Sequence, residues 1–308
     1  MRSGRACAIL LVSLLAPQPP NTPAVHFSAG ESARSIPFDL VGGRIVLRVG
    51  VNGSAPVSFI LDTGADVNAI GLSYARSTGI GLVPWTGGFV GIGDHAPEVH
   101  LATDAMSFSL PGVELSDSQT FVISLDETHD CLGRNPRLDG FLGMPFFRSL
   151  VVEIDYRSRL LNLYDPSSYA YAGHGRIVPI EFDSMYSYVN VQVAAPRRPP
   201  VRAKLVIDTG AGALSLTKQF AKSHGILPAA ETLIPGAECG SAGRSAEPTL
   251  VGTIDRLQIG GFTLSHLQTV FYQATADRTY DGLLGSEILR HFKVIFDYSR
   301  HRMILEPS

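Results

Sequence analysis

A short acidic motif occurs twice in this chain of 308 residues. Asp62 is followed by Thr-Gly-Ala, and Asp208 is followed by the same three residues. Each aspartate comes directly after apolar, β-favouring residues, which places its carboxylate where a buried strand gives way to a turn. If the two turns meet in a poorly hydrated cleft, the carboxylates share one proton, because both cannot easily ionise side by side. Such a pair can take a proton from a bound water and give one to a carbonyl oxygen.

The residues around the motif also repeat, which indicates a duplicated segment rather than two chance copies. Residues 74–80 and 220–226 align at the same spacing as the two aspartates. We therefore predict an N-terminal lobe over 36–165 and a C-terminal lobe over 178–308, with 166–176 as the connection. The repeat by itself is also compatible with two duplicated β-domains that are joined for stability and carry no chemistry.

Each half is predicted to be mostly β. Residues 45–51 alternate apolar and polar side chains, and Asn52-Gly53 is a strong hairpin turn that leads into a return strand over 57–61. Helical signals are brief. They predict short helices at 72–77, 144–149, 218–223 and 286–291.

With both motif copies and the later Phe141-Leu142-Gly143 and Leu283-Leu284-Gly285 segments, the chain resembles the aspartic proteases, in particular the bacterial retropepsin-like proteins with two lobes in one chain. The resemblance implies a mostly β, two-lobed pepsin/retropepsin-like acid protease fold, with pseudo-twofold β-barrel lobes and short helices. It also implies an endopeptidase that uses an activated water and no cofactor. It assigns Asp62 and Asp208 as the catalytic pair, Thr63 and Thr209 as the residues that hold the turns together, and Gly64 and Gly210 as the residues that present backbone groups to the pair.

The residues after each motif differ between the halves. Asp66 follows the first copy, as in retropepsins, where this aspartate helps to bind the substrate main chain, and Gly212 takes its place in the second. Asp66 is equally explained as a cap of its own turn. Ala65 and Ala211, which we count with Asp66 as substrate-binding positions, replace the hydroxyl residues of pepsin-like enzymes. Without those hydroxyls the ionised pair loses hydrogen-bond donors, so we expect activity at about pH 4–6.

A glycine-rich segment over 87–93 is the best match to the β-hairpin flap that covers the cleft in this family. Gly91, Ile92 and Gly93 are therefore predicted to contact substrate, although a flexible surface loop is the alternative. Gly236 to Gly243 is similarly glycine-rich in the second half. Cys131 and Cys239 either form a disulfide bond or are two unrelated thiols.

Composition narrows the classes of partner. The formal charge is −3 and no basic cluster is present, so a nucleic-acid partner is not expected. Hydrophobic residues make up 45% of the chain and charged residues 17%, which is typical of a globular protein. No metal-binding spacing is evident, and we expect neither a metal nor another cofactor. Because each half resembles one retropepsin subunit, a monomer is expected.

The first 24 residues resemble a secretory signal peptide. Arg2 and Arg5 precede an apolar run over 6–15, and small residues end the segment at Ala24. The run is too short to cross a bilayer of about 30 Å as a helix. The protein is therefore expected to be secreted or periplasmic, without stable membrane insertion, and an uncleaved membrane anchor is the alternative.

The function predicted from the sequence is hydrolysis of peptide bonds in a peptide or protein substrate. The alternative is a non-catalytic peptide-binding protein that keeps the same fold. A binder has no evident need for two carboxylates that repel one another, which favours the enzyme.

Overall fold

The computed structural model describes residues 12–15, 23–91, 98–125, 128, 137–228, 233–236, 239–240, 243–244, 249–273 and 279–308. Strands dominate it, which confirms the prediction of a mostly β chain. The strands of the first half are β1 (Val12–Leu15), β2 (Ala24–Phe27), β3 (Ser32–Pro37), β4 (Asp39–Val41), β5 (Arg44–Val51), β6 (Val57–Leu61), β7 (Asn68–Gly71), β8 (Leu82–Pro84), β9 (Gly88–Gly91), β10 (Val99–Ala102), β11 (Met106–Leu110), β12 (Val113–Ser118), β13 (Thr120–Ile123), β14 (Gly140–Leu142), β15 (Val151–Asp155) and β16 (Leu160–Tyr164).

The second half repeats this pattern with longer hairpins. Its strands are β17 (Arg176–Pro179), β18 (Glu181–Phe182), β19 (Ser187–Ala194), β20 (Val201–Asp208), β21 (Leu214–Thr217), β22 (Ile234–Gly236), β23 (Cys239–Gly240), β24 (Gly243–Arg244), β25 (Thr249–Ile259), β26 (Phe262–Tyr272), β27 (Gly282–Gly285), β28 (Phe292–Asp297) and β29 (Arg302–Pro307). The helices are α1 (Leu72–Thr78), α2 (Met144–Ser149), α3 (Lys218–Ser223) and α4 (Ser286–Leu289), and a 3-10 turn covers Tyr298–Arg300.

Three large sheets organise the molecule. An eleven-stranded sheet runs β2-β12-β11-β5-β6-β14-β7-β13-β10-β8, with β4 paired to β5. An eight-stranded sheet runs β18-β19-β20-β27-β21-β26-β25-β22, and an extra pairing of β19 with β25 joins strands that are distant in this order. A six-stranded sheet, β17-β29-β28-β15-β16-β3, takes strands from both halves and ties them together.

The same arrangement of three strands surrounds each aspartate. In the first half β14 runs parallel to β6 and antiparallel to β7. In the second half β27 runs parallel to β20 and antiparallel to β21. Five of these strands are buried along almost their whole length, and β20 is buried over its last four residues, which explains the apolar sequences of the buried parts. In each half, a strand from later in the same lobe lies between two earlier strands and holds both of them, which supports the turns after β6 and β20.

The predicted hairpin and helices are found with small differences. Asn52 and Gly53 both have positive φ angles, 49° and 75°, as a tight turn between β5 and β6 requires. Gly79 ends α1 in the left-handed conformation, and its N–H binds the last carbonyls of the helix. The fourth helix is shorter than predicted and ends at Leu289, because the buried strand β28 begins at Phe292.

The segment predicted as a signal peptide lies mostly outside the described residues. Its residues 12–15 form β1, which pairs antiparallel with β9, Val12 facing Gly91 and Leu15 facing Gly88. None of the helices in the described part of the chain is long and apolar enough to cross a membrane.

Candidate active site

Both aspartates lie at the ends of buried strands. The turn at Asp62 is supported by β14, and the turn at Asp208 is supported by β27. The backbone N–H of Asp62 donates to the carbonyl of Leu142 in β14 at 2.9 Å. In the second half Asp208 lies level with Gly285 in β27. The carbonyls of Ala65 and Ala211 each accept from the backbone of the following helix, from Met144 and Ser286, at 2.8 Å. The apolar-apolar-Gly segments therefore support the turns from below.

The two threonines join the turns across the lobes. Thr63 Oγ1 donates to the carbonyl of Ile207 at 2.8 Å, and it accepts from the backbone N–H of Thr209 at 2.9 Å. Thr209 Oγ1 does the same in the other direction, donating to Leu61 at 2.7 Å and accepting from Thr63 N–H at 3.0 Å. Both threonines are fully buried. Four reciprocal hydrogen bonds that water does not reach hold the turns in one relative position.

The two glycines bring the carboxyl groups together. A Cβ atom on Gly64 would lie 2.6 Å from the carboxyl carbon of Asp208, and one on Gly210 would lie 2.5 Å from that of Asp62. Each glycine therefore packs directly on the aspartate of the opposite lobe, in space that a side chain would fill. This close approach requires glycine at both positions and gives a buried pair of carboxyl groups.

Burial dominates the electrostatics of this pair. It raises the pKa of Asp62 to about 7, while the N–H of Gly64, which donates to Asp62 Oδ1 at 2.8 Å, lowers it. Burial raises the pKa of Asp208 well above its usual value, and the negative charge of Asp62 raises it further. The N–H of Ala211, which donates to Asp208 Oδ1 at 2.8 Å, acts against this rise. The arrangement disfavours two ionised carboxylates, so the pair retains a proton.

A buried arginine beside the pair was not anticipated from the sequence. Arg44, the first residue of β5, donates from Nε to the carbonyl of Gly210 at 2.7 Å. Its positive charge lowers the pKa of both Asp62 and Asp208. A signal was present, because a charged residue opens a strand whose other members are almost all buried, directly after Gly42-Gly43.

The remaining predicted positions have different outcomes. Ala65 and Ala211 are fully buried beside the aspartates, and Asp66 is half-buried at the end of the first turn. Gly91 ends β9, whereas Ile92 and Gly93 lie outside the described residues. The flap therefore stays a prediction.

The predicted disulfide also stays untested. Cys239 lies opposite Arg244 in a short hairpin, and Cys131 lies outside the described residues. Across the described part of the chain, no group of three or more His, Cys, Asp or Glu side chains could hold a metal ion.

Comparison with known proteins decides the family. The model of a family described as aspartyl protease matches residues 47–146 and 198–288, which together make up more than half of the chain. The chain belongs to the aspartyl protease family. Each matched segment of this aspartyl protease family member contains one Asp-Thr-Gly turn, so the family model matches both copies of the motif.

Superposition on a solved aspartic proteinase supports the two-lobed fold. The aspartic proteinase from Irpex lacteus superposes with a TM-score of 0.53 at 14% sequence identity, over 90% of this chain and 97% of that one. Basic 7S globulin from soybean gives a TM-score of 0.49 at 12% identity, over 90% of this chain and 95% of that one. No protein of curated function matched this aspartyl protease family member by sequence. The two-lobed fold expected from the resemblance is thus confirmed.

Proposed function

We propose that this protein is an aspartic endopeptidase that hydrolyses peptide bonds with a water activated between Asp62 and Asp208. The observation that carries the proposal is the mutual contact of two buried carboxyl groups, each packed on the glycine of the opposite turn. Burying two acids together costs stability, which favours a functional role for the pair. Family membership supports the same reaction class.

The unequal surroundings of the two carboxyls favour distinct roles. We assign the negative charge to Asp62, which acts as the general base that takes a proton from water. Asp208 holds the shared proton and donates it to the carbonyl oxygen of the scissile bond as the water oxygen attacks the carbon. The resulting tetrahedral diol collapses when its hydroxyl returns a proton to Asp208 and the leaving nitrogen takes the proton held by Asp62. Both products then leave without a covalent intermediate.

The backbone hydrogen bonds occupy one oxygen of each aspartate and leave the other oxygen available to bind the water. Gly64 binds Oδ1 of Asp62 and Ala211 binds Oδ1 of Asp208. Oδ2 of each group is buried and receives no hydrogen bond from any other described residue. The fixed Oδ1 atoms orient the carboxyl planes, so that proton transfer takes place at Oδ2.

The test is cleavage of an unstructured protein such as casein, followed from pH 3 to 7 for the mature wild type, Asp62→Asn, Asp208→Asn and the exposed control Asp104→Asn. Because the pKa of Asp62 is raised to about 7, the general base ionises above the pH 4–6 expected from the sequence. We therefore expect activity to increase toward pH 7, to be lost in both dyad variants and to be retained in the control. Pepstatin gives an additional probe of the pair. Equal inactivity of wild type and dyad variants on casein and on a diverse peptide library would reject catalysis and favour a peptide-binding protein.

We further propose that the protein is exported as a monomer and that the first 24 residues are removed. The charged start and the short apolar run support this proposal. N-terminal sequencing and light scattering of the exported protein test it. A retained leader in the membrane fraction would contradict export, and a dimer would contradict the monomer.

A further inference from the structure

Arg44 connects the N-terminal lobe to the second Asp-Thr-Gly turn. Its side chain is only 2% exposed, and its Nε donates to the carbonyl of Gly210 at 2.7 Å. Its Nη1 donates to the carbonyl of Gly42 at 3.0 Å, within its own lobe. A buried guanidinium is expensive unless its donors and its charge are compensated. The compensation here comes from the backbone around the carboxyl pair.

Gly210 transmits the contact from Arg44 to Asp62. The α-carbon of this glycine packs on the Asp62 carboxyl, and its backbone also lowers the pKa of Asp62. The residue whose carbonyl accepts from Arg44 is thus the residue that touches the proposed general base. A shift of this peptide by a fraction of an ångström alters the position of the carboxyl pair directly.

The C-terminal lobe places an uncharged residue at the corresponding position. Val46 in β5 faces Ile60, and Tyr188 in β19 faces Val206, each partner lying two residues before its aspartate. Counting back two residues from Val46 and from Tyr188 makes Arg44 and Tyr186 equivalent. Tyr186 is buried and packs against Tyr188, with ring centroids 6.3 Å apart. Of these two equivalent positions, only the one in the N-terminal lobe brings a positive charge to the pair.

We propose that Arg44 is a positioning residue that holds the Gly210 peptide against Asp62 and provides the positive charge that favours the singly ionised carboxyl pair. This inference rests on the proposed function and goes beyond it, because it assigns the acid limit of activity to a residue outside both Asp-Thr-Gly turns.

The other charged groups near the pair do not replace Arg44. The charges that act most strongly on Asp62 and Asp208 are their own and that of Arg44. Asp66, at the end of the first turn, has the opposite sign. Glu287 approaches from α4, where its N–H binds the Gly212 carbonyl at 3.2 Å, and its carboxylate faces Arg290 at 3.8 Å. Removing Arg44 therefore raises the pH at which the pair first loses a proton.

The first test compares pH profiles of kcat/KM for wild type, Arg44→Met, Arg44→Lys and the control Arg48→Met. Arg48 lies on the same strand but binds Ser58 and Pro56 within its own lobe. We expect the acidic limb of Arg44→Met to move up by about one pH unit. Arg44→Lys keeps the charge and therefore the limb, but its kcat falls about tenfold because an ammonium cannot reproduce the guanidinium contacts. The control keeps both.

Two outcomes would overturn the proposal. One is an Arg44→Met limb that coincides with that of wild type, and the other is an Arg44→Lys limb that moves as far as that of Arg44→Met. If Arg44→Met does not fold, as judged by circular dichroism, Arg44→Lys still decides. For Arg44→Lys, an acidic limb at the wild-type pH together with a reduced kcat supports the proposal. An acidic limb that moves, or a kcat equal to that of wild type, contradicts it.

A second measurement does not require activity. Carbon-13 NMR of aspartate-labelled protein follows the titration of the buried carboxyls in wild type, Arg44→Lys, Arg44→Met and Arg48→Met. A higher first titration midpoint in Arg44→Met alone supports the role of the charge, and identical midpoints in all four proteins contradict it. Failure of the proposed function would appear separately: the NMR titrations would show the expected effect of Arg44 on the carboxyl pair, but the wild type would cleave no substrate.

Discussion

The two lobes share a backbone arrangement at the carboxyl pair but differ in the side chains around it. In each, a braced turn carries aspartate, threonine and glycine, and each glycine packs on the opposite carboxyl. The lobes diverge immediately outside this set. Arg44 corresponds to Tyr186, and Asp66 corresponds to Gly212.

This difference separates the requirements of geometry from those of proton transfer. Bringing two carboxyls together needs the same turn twice, so the elements that do so are duplicated. If the pair transfers protons as proposed, unequal surroundings determine which carboxyl acts as the base and which as the acid. Charged residues that occur in only one lobe provide such unequal surroundings without changing the duplicated frame.

The largest effect is expected from adding a side chain at Gly64 or Gly210, because both glycines belong to the backbone arrangement that the two lobes share. Gly64→Ala and Gly210→Ala each place a methyl group within 2.6 Å of a carboxyl carbon. The carboxyls must then separate, and we expect kcat to fall at least about 100-fold in each variant.

Kinetics on casein peptides check this expectation, with Gly261→Ala as the control. Gly261 has a positive φ of 83°, unlike Gly64 and Gly210, but nothing lies within 4 Å of its added methyl group. Its variant should lose some stability and keep its activity. A fully active Gly210→Ala protein would show that the two turns do not need to meet.

Removing a carboxyl should stabilise the protein as the pH rises. A carboxyl whose pKa is about 7 when folded and about 4 when unfolded binds more protons in the folded state between these values. Wild type therefore loses stability from pH 4 to 7, and Asp62→Asn lacks the part of this loss that Asp62 contributes. We expect the variant to exceed wild type by roughly 2–4 kcal/mol at pH 7 and by much less at pH 4.

Urea unfolding at several pH values measures the difference, and the Asp208→Asn protein should follow the same trend because its carboxyl is shifted in the same direction. The exposed Asp104→Asn variant serves as the control. If the gap between Asp62→Asn and wild type stays constant from pH 4 to 7, the carboxyl is not destabilised by its burial.

The duplicated part of this molecule could be predicted from its sequence, and the unequal part largely could not. The repeat located Asp62 and Asp208, and hairpin and helix signals placed β5, β6 and the four short helices to within a few residues. Because the same pattern occurs twice in one chain, each copy supports the prediction made from the other. Local signals also suffice for turns such as Asn52-Gly53, where two residues determine the backbone.

Arg44 shows why the rest was missed. Its importance comes from a hydrogen bond to Gly210, 166 residues away, and no pattern near Arg44 reveals that partner. A residue that has no counterpart in the other half gains no support from the repeat, and the role of Arg44 depends on how the two lobes pack together. The six-stranded sheet that joins the halves is equally non-local, because its strands come from both ends of each predicted lobe.

Cutting one half of the threonine network tests whether the two lobes contribute equally to the frame. Thr63→Val and Thr209→Val each remove one donor and leave a buried carbonyl, at Ile207 or at Leu61, without that partner. We expect each change to lower the free energy of unfolding by about 2 kcal/mol. Because the two residues share one network, the double variant should lose less than the sum of the two.

Denaturant unfolding of the three variants gives these values. Thr78→Val is a suitable control, since Thr78 is exposed and its hydroxyl binds only within α1. Its change should stay within about 0.5 kcal/mol. Strict additivity of the two buried substitutions would mean that the lobes are held independently at this point.

The smallest expected effect sharpens the difference between the lobes at Asp66. If this carboxylate binds the substrate main chain, Asp66→Asn weakens ground state and transition state alike, so KM rises with little change in kcat. A lost charge-assisted hydrogen bond corresponds to about a tenfold increase in KM. If Asp66 caps its own turn, KM is unchanged and the free energy of unfolding falls. Kinetics and denaturant unfolding of the same variant separate the two roles, and because Gly212 occupies the matching position, only one side of the cleft can show either effect.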